Sequence, residues 1–142
     1  MSDRHVPSAL RRSVERRAAG RCEYCLTPRA FSASGFCVEH IRPRKQGGPT
    51  ALENLALACA GCNGHKADKT HASDPATGRH TRLYHPRSDA WRRHFRWSSG
   101  GLTIEGITAV GRATIAALLL NRTPLVNLRR ILALEGRHPP VA

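Results

Sequence analysis

Two Cys-x-x-Cys pairs constrain this chain more than any other feature: Cys22-Glu23-Tyr24-Cys25 and Cys59-Ala60-Gly61-Cys62. Each pair can turn two thiolates toward one cation, and together they complete the four-sulfur tetrahedral set that Zn²⁺ prefers. Four protein ligands leave no position for water, so the expected zinc is structural and does no chemistry. The two pairs are separated by 33 residues, more than the roughly 15–20 of a compact zinc ribbon. A further structural unit must therefore fit inside the loop that the metal closes.

The residues inside that loop read as strand, loop, strand and helix. Phe36 to Ile41 has strand character, and Leu55 to Ala58 makes a short second strand. Between them, Pro43, Gly47-Gly48 and Pro49 block regular structure and imply a compact loop. Cys62 to Lys69 starts a short helix. Ahead of the first knuckle, Ser8 can cap a helix running to about Ala19, with Gly20 as its stop. The fifth cysteine, Cys37, lies in the apolar run Phe36-Cys37-Val38 and is expected to be a buried core thiol.

At these positions the sequence resembles the HNH endonucleases, whose ββα-metal core often sits between two CxxC knuckles. The resemblance rests on Phe36-Cys37-Val38-Glu39-His40-Ile41, Pro43, Gly47-Gly48, Glu53-Asn54-Leu55, and Cys59 to Cys62 followed by Asn63 and Lys66. A carboxylate-His pair, an Asn fourteen residues on, then CxxC-Asn-x-x-Lys form a specific joint pattern. It implies an α+β fold: a ββα-metal core within a Cys₄ zinc frame, followed by a C-terminal β-hairpin and two helices.

The resemblance also implies roles. His40 is the general base, since a neutral imidazole can take a proton from water near neutral pH. Glu39 and Asn63 hold a catalytic divalent cation, and their hard oxygen atoms suit Mg²⁺ or Mn²⁺. Family members often carry Asp at the position of Glu39 and His at that of Asn63. Asn54 is the middle residue of the motif and ties the loop so that His40 points correctly. Arg42, Arg44 and Lys45 follow the base, while His65 and Lys66 lie within a helical turn of Asn63; all five are candidate phosphate contacts. The implied reaction is hydrolysis of DNA leaving a 5′-phosphate.

Charge points the same way. A net charge of +13 favours a polyanionic partner. No apolar run is long enough to span a bilayer, which makes nucleic acid the expected partner rather than membrane. The N-terminus has no signal-peptide pattern, so the cysteines are expected as metal ligands in a reducing bacterial or phage-infected cytoplasm rather than as disulfides.

Residues 1–69 are read as the N-terminal helix and the zinc-stapled core, and 70–142 as linker, hairpin and helical extension. Thr70 to Arg82 reads as a polar linker or surface loop. Trp91 to Trp97 alternates as a strand, pairing through a Ser98–Gly101 turn with Leu102-Thr103-Ile104. Thr108 to Asn121 and a helix opened by Thr123-Pro124 and ending near Gly136 complete the chain. The stretch from Leu83 to Asn121, with Tyr84-His85-Pro86-Arg87 and His94-Phe95-Arg96-Trp97, also looks like the extension of many small bacterial HNH proteins. The apolar surplus of the last two helices suits packing or a homodimer. Two other functions compete with the enzyme. One is a non-catalytic zinc-containing nucleic-acid-binding module; the other is a protein-interaction domain using those helices.

Overall fold

The structure is a computed structural model that describes residues 6–140. It has two compact units. The first contains residues 6–70 together with His85–Asp89, and the second contains His71–Tyr84 and residues 90–140. The architecture is α+β, with helices and small antiparallel strand pairs, and the first unit carries a four-cysteine cluster.

In the first unit, α1 (Ser8–Ala18) packs on an antiparallel hairpin of β1 (Phe36–His40) and β2 (Leu55–Cys59), and α2 (Ala60–Lys66) follows β2 directly. This is the ββα order expected from the sequence. The register runs from Phe36 opposite Cys59 to His40 opposite Leu55, so the catalytic candidates stand at the loop end and the second knuckle at the other. Every residue of β2 is buried, which explains its continuous apolar run: α1 covers one side and α2 the other. Val6, Val14, Val38, Leu55 and Leu57 form the core cluster, with Leu10, Ala18 and Phe36 against it.

Local details depart from expectation. Pro7 rather than Ser8 occupies the N-cap of α1, because Ser8 already lies in the first turn. At the other end Ala19 takes the left-handed conformation at φ +54° and Gly20 continues it at +73°. Arg17, exposed on α1, donates from its guanidinium to the carbonyls of Leu52 (2.9 Å) and Leu55 (2.6 Å), fixing α1 to the start of β2. Cys37 is half-buried rather than buried, since β1 sinks below the surface only from Val38 onward.

The second unit corrects the reading of Thr70 to Arg82 as an irregular loop. β3 (His71–Ser73) and β4 (His80–Arg82) form an antiparallel hairpin. The buried Asp74 organises its turn, accepting from the Ala76 amide, the Thr77 hydroxyl and both Nε and a terminal nitrogen of Arg112. The expected strand from Trp91 begins instead with a single helical turn, α3 (Trp91–His94), and β5 covers only Phe95–Trp97. β5 pairs with β6 (Ile104–Gly106), a later start than Leu102.

Thr108 caps α4 (Ala109–Leu118) by accepting from the Gly111 amide, and its hydroxyl also meets His94 Nδ1 at 2.6 Å. Gly111 is required there, because a Cβ would lie 2.0 Å from the His94 carbonyl oxygen. In α5 (Thr123–Leu134) the cap is Arg122, one residue before the expected Thr123, and Pro124 falls in the first turn as its missing amide proton allows. Among the described residues, no helix is long and apolar enough to cross a membrane.

Candidate functional site

The two knuckles meet. Ligand atoms of Cys22, Cys25, Cys59 and Cys62 all lie within 4.8 Å of one another, and all four residues are buried. Tetrahedral coordination with Zn–S bonds near 2.3 Å puts the edges of the sulfur tetrahedron at about 3.8 Å, and Cys25 Sγ and Cys59 Sγ are 3.8 Å apart. The donor set and its spacing fit zinc. The Cys22, Cys25 and Cys62 thiols and the Cys62 amide hold the Cys59 thiol well below its usual range, while burial pushes the Cys22 thiol up. Proximity to β2 comes from Glu23, whose amide donates to the Leu57 carbonyl (2.9 Å) and whose Oε2 accepts from the Leu57 amide (2.9 Å). Glu23 Oε1 also pairs with Arg87, a contact with no local sequence signal.

Glu39 and His40 are the last two residues of β1, at its loop end. Glu39 is 3% exposed and lies between two partner groups. Its Oε2 accepts from the Tyr24 hydroxyl at 2.9 Å, and its Oε1 lies 3.2 Å from Lys66 Nζ. Lys66 is itself 2% exposed, and its ammonium also donates to the Ile41 carbonyl at 2.8 Å. Burial pushes the Glu39 carboxyl up, and Lys66 and Tyr24 pull it back. The expectation that Lys66 reaches toward phosphate is corrected: a carboxylate withdrawn from water needs a cationic partner, and Lys66 supplies it from α2. Asn63 is half-buried, three residues before Lys66 on α2. That spacing puts the two on neighbouring positions of one helix face. Each Glu39 oxygen keeps acceptor capacity beyond its one bond, and the Asn63 side chain carries an amide oxygen.

His40 is 6% exposed and its Nε2 lies 2.8 Å from Thr50 Oγ1. Thr50 carries no motif signal that the sequence could have revealed. The loop between them is closed by Asn54, which is buried. Asn54 Oδ1 accepts from the Arg42 amide (2.9 Å), and Nδ2 donates to the carbonyls of Arg42 (3.0 Å) and Pro49 (2.9 Å). The Asn54 carbonyl in turn accepts from the Ile41 amide (2.8 Å). Gly48 is packed so closely that a Cβ would lie 1.8 Å from the Arg42 carbonyl oxygen and 2.9 Å from Asn54 Nδ2. The paired glycines thus have separate causes: Gly47 supplies a left-handed turn at φ +85° and Gly48 supplies close approach.

The remaining basic candidates stay at the surface. Arg42 is exposed and donates to the Gly47 carbonyl at 2.9 Å, and Arg44 is exposed in a short 3₁₀ turn, Arg44–Gln46. Lys45 pairs with Asp68, both exposed. His65 is exposed on α2.

The chain matches no curated protein and no solved structure. It is the segment from the first knuckle through α2, residues 22–69, that matches the HNH endonuclease family, the same family its motifs resemble.

Proposed function

We propose that this protein is a metal-dependent DNA endonuclease of the HNH type, with His40 as general base and Glu39 and Asn63 as ligands of a catalytic Mg²⁺ or Mn²⁺. In this reading His40 accepts a proton as a water oxygen bonds to phosphorus, and the bond from phosphorus to the 3′ oxygen breaks. The 5′-phosphate stays on the downstream strand. Glu39 and Asn63 would hold the divalent cation, which when bound would supply charge stabilisation for the departing oxygen. Asn54 fixes the loop behind His40, and Thr50 holds the imidazole in one orientation by its hydrogen bond to Nε2. Arg42, Arg44, Lys45 and His65 contact the DNA backbone as positioning groups that read no sequence.

The observation that carries this reading is the local construction around His40. A buried Asn54 spends three hydrogen bonds on the loop that follows the histidine, and a threonine hydroxyl grips the ring. A second reading, a non-catalytic DNA-binding zinc module, is favoured by the Lys66–Glu39 pair: the buried ammonium 3.2 Å from the carboxylate already neutralises the charge that a cation would use. The two readings part at His40→Ala. The enzyme reading requires that this variant keep its DNA affinity and zinc content and lose cleavage. DNA binding without cleavage by the wild type under any divalent metal supports the binding module.

A further inference from the structure

The first knuckle does more than hold a metal. Its third residue, Tyr24, is 1% exposed and lies between two cysteines of the cluster, and its hydroxyl donates to Glu39 Oε2 at 2.9 Å. The knuckle backbone is simultaneously locked to β2 through the two Glu23–Leu57 bonds, on the strand that pairs with β1. Glu39 Oε1 is turned toward Lys66 on α2. The carboxylate is therefore gripped from two sides, and its rotation about the last side-chain bond is fixed by which oxygen each partner takes.

We propose that Tyr24 is a positioning residue that orients Glu39 for cation binding and so links the cysteine cluster to the cation site of the hairpin. This rests on the reading of Glu39 as a cation ligand. A tyrosine hydroxyl donating to a carboxylate makes a charge-assisted bond, and partners of this kind behind a metal ligand typically change affinity or activity by about 10–100-fold when removed. Tyr24 is suited to the task because a phenol at the rim of a folded knuckle is rigid: the two flanking cysteines fix its backbone, and its ring has only two rotatable bonds.

The test uses the full chain with its zinc in place. Mn²⁺ binding is followed by the loss of the free-ion EPR signal in wild type, Tyr24→Phe and Glu39→Gln, with zinc content measured on each. Tyr24→Phe is expected to keep one zinc per chain and to bind Mn²⁺ about 10–100-fold more weakly, while Glu39→Gln abolishes binding. Wild-type Mn²⁺ affinity in Tyr24→Phe overturns the positioning role alone. Wild-type affinity in Glu39→Gln removes the cation-ligand reading, and the positioning role with it.

A measurement on the unmutated chain covers the case in which Tyr24→Phe does not fold. The protein has two tyrosines, Tyr24 and Tyr84, so fluorotyrosine labelling gives two ¹⁹F resonances. Saturating Mg²⁺ is expected to shift that of Tyr24. An unmoved Tyr24 resonance at saturating Mg²⁺ overturns the proposal.

Discussion

Lys66 Nζ lies 3.2 Å from Glu39 Oε1, and both side chains are almost wholly withdrawn from solvent. An isolated carboxylate in that position would be strongly disfavoured, so the pair fixes where α2 sits on β1 as much as it neutralises charge. The Ile41 carbonyl accepts from the same ammonium and extends the grip to the strand end.

Removing one partner of a buried pair leaves the other uncompensated. Lys66→Met is expected to destabilise the protein by about 3–5 kcal/mol, read as a lower urea midpoint. The double variant Lys66→Met/Glu39→Gln should recover much of that loss, since no unpaired charge remains. A single variant within about 1 kcal/mol of wild type would contradict the structural weight given to the pair.

Asn54 has three side-chain hydrogen bonds to the backbone of the loop behind His40. At about 1 kcal/mol each, Asn54→Ala should cost about 2–4 kcal/mol and speed hydrogen exchange at the Arg42 amide, which loses its acceptor. Unchanged protection of that amide would argue against the assigned role of Asn54.

Much of the first unit was legible because it is encoded locally. The CxxC spacing, the glycine pair and the apolar runs of β1 and β2 each state their structure within a few residues. What escaped was non-local. Tyr24 on Glu39, Thr50 on His40 and Arg17 on the Leu52 and Leu55 carbonyls join residues whose proximity depends on the finished fold. Lys66 was misread for the same reason: an ammonium on a short helix beside the motif reads as a phosphate contact until the buried carboxylate opposite is known.

The β3–β4 hairpin was missed because its strands carry no apolar alternation. Its order comes from Asp74 and from Arg112, thirty-eight residues away. At Trp91 the alternation is real only from Phe95; the preceding turn follows the helical path because the Arg93 amide bonds back to the Ala90 carbonyl.

The Asp74–Arg112 pair gives a pH dependence to the second unit. Hydrogen bonds from Arg112, with those of Ala76 and Thr77, hold the Asp74 carboxyl well below the usual carboxylate range. A carboxyl lowered in the folded state stabilises fully above its unfolded value, about 3.9, and that stability is lost as pH falls toward the folded value. Both tryptophans, Trp91 and Trp97, lie in this unit, so urea unfolding by tryptophan fluorescence reports on it. Stability should fall progressively below about pH 4, and Asp74→Asn should flatten that fall while weakening the unit at neutral pH. An unaltered acid slope in Asp74→Asn would refute the linkage.

Zinc should be inseparable from the first unit's fold. Structural zinc contributes apparent free energies on the order of 10–16 kcal/mol, as much as the whole net stability of an ordinary domain, about 5–15 kcal/mol. Cys59→Ser should lower zinc content and melt this unit, and substitution with Co²⁺ should give the thiolate charge-transfer and visible bands of a tetrahedral four-sulfur site. A stable, metal-free Cys59→Ser protein would contradict the assignment.

The central claim is that His40 activates water at a site that needs a divalent cation. The direct measurement is conversion of supercoiled plasmid by purified, zinc-loaded protein across a Mg²⁺ and Mn²⁺ titration, with His40→Ala beside it at equal zinc content. The account predicts metal-dependent nicking or linearisation that disappears in His40→Ala while DNA binding persists. Cleavage that survives in His40→Ala would contradict it.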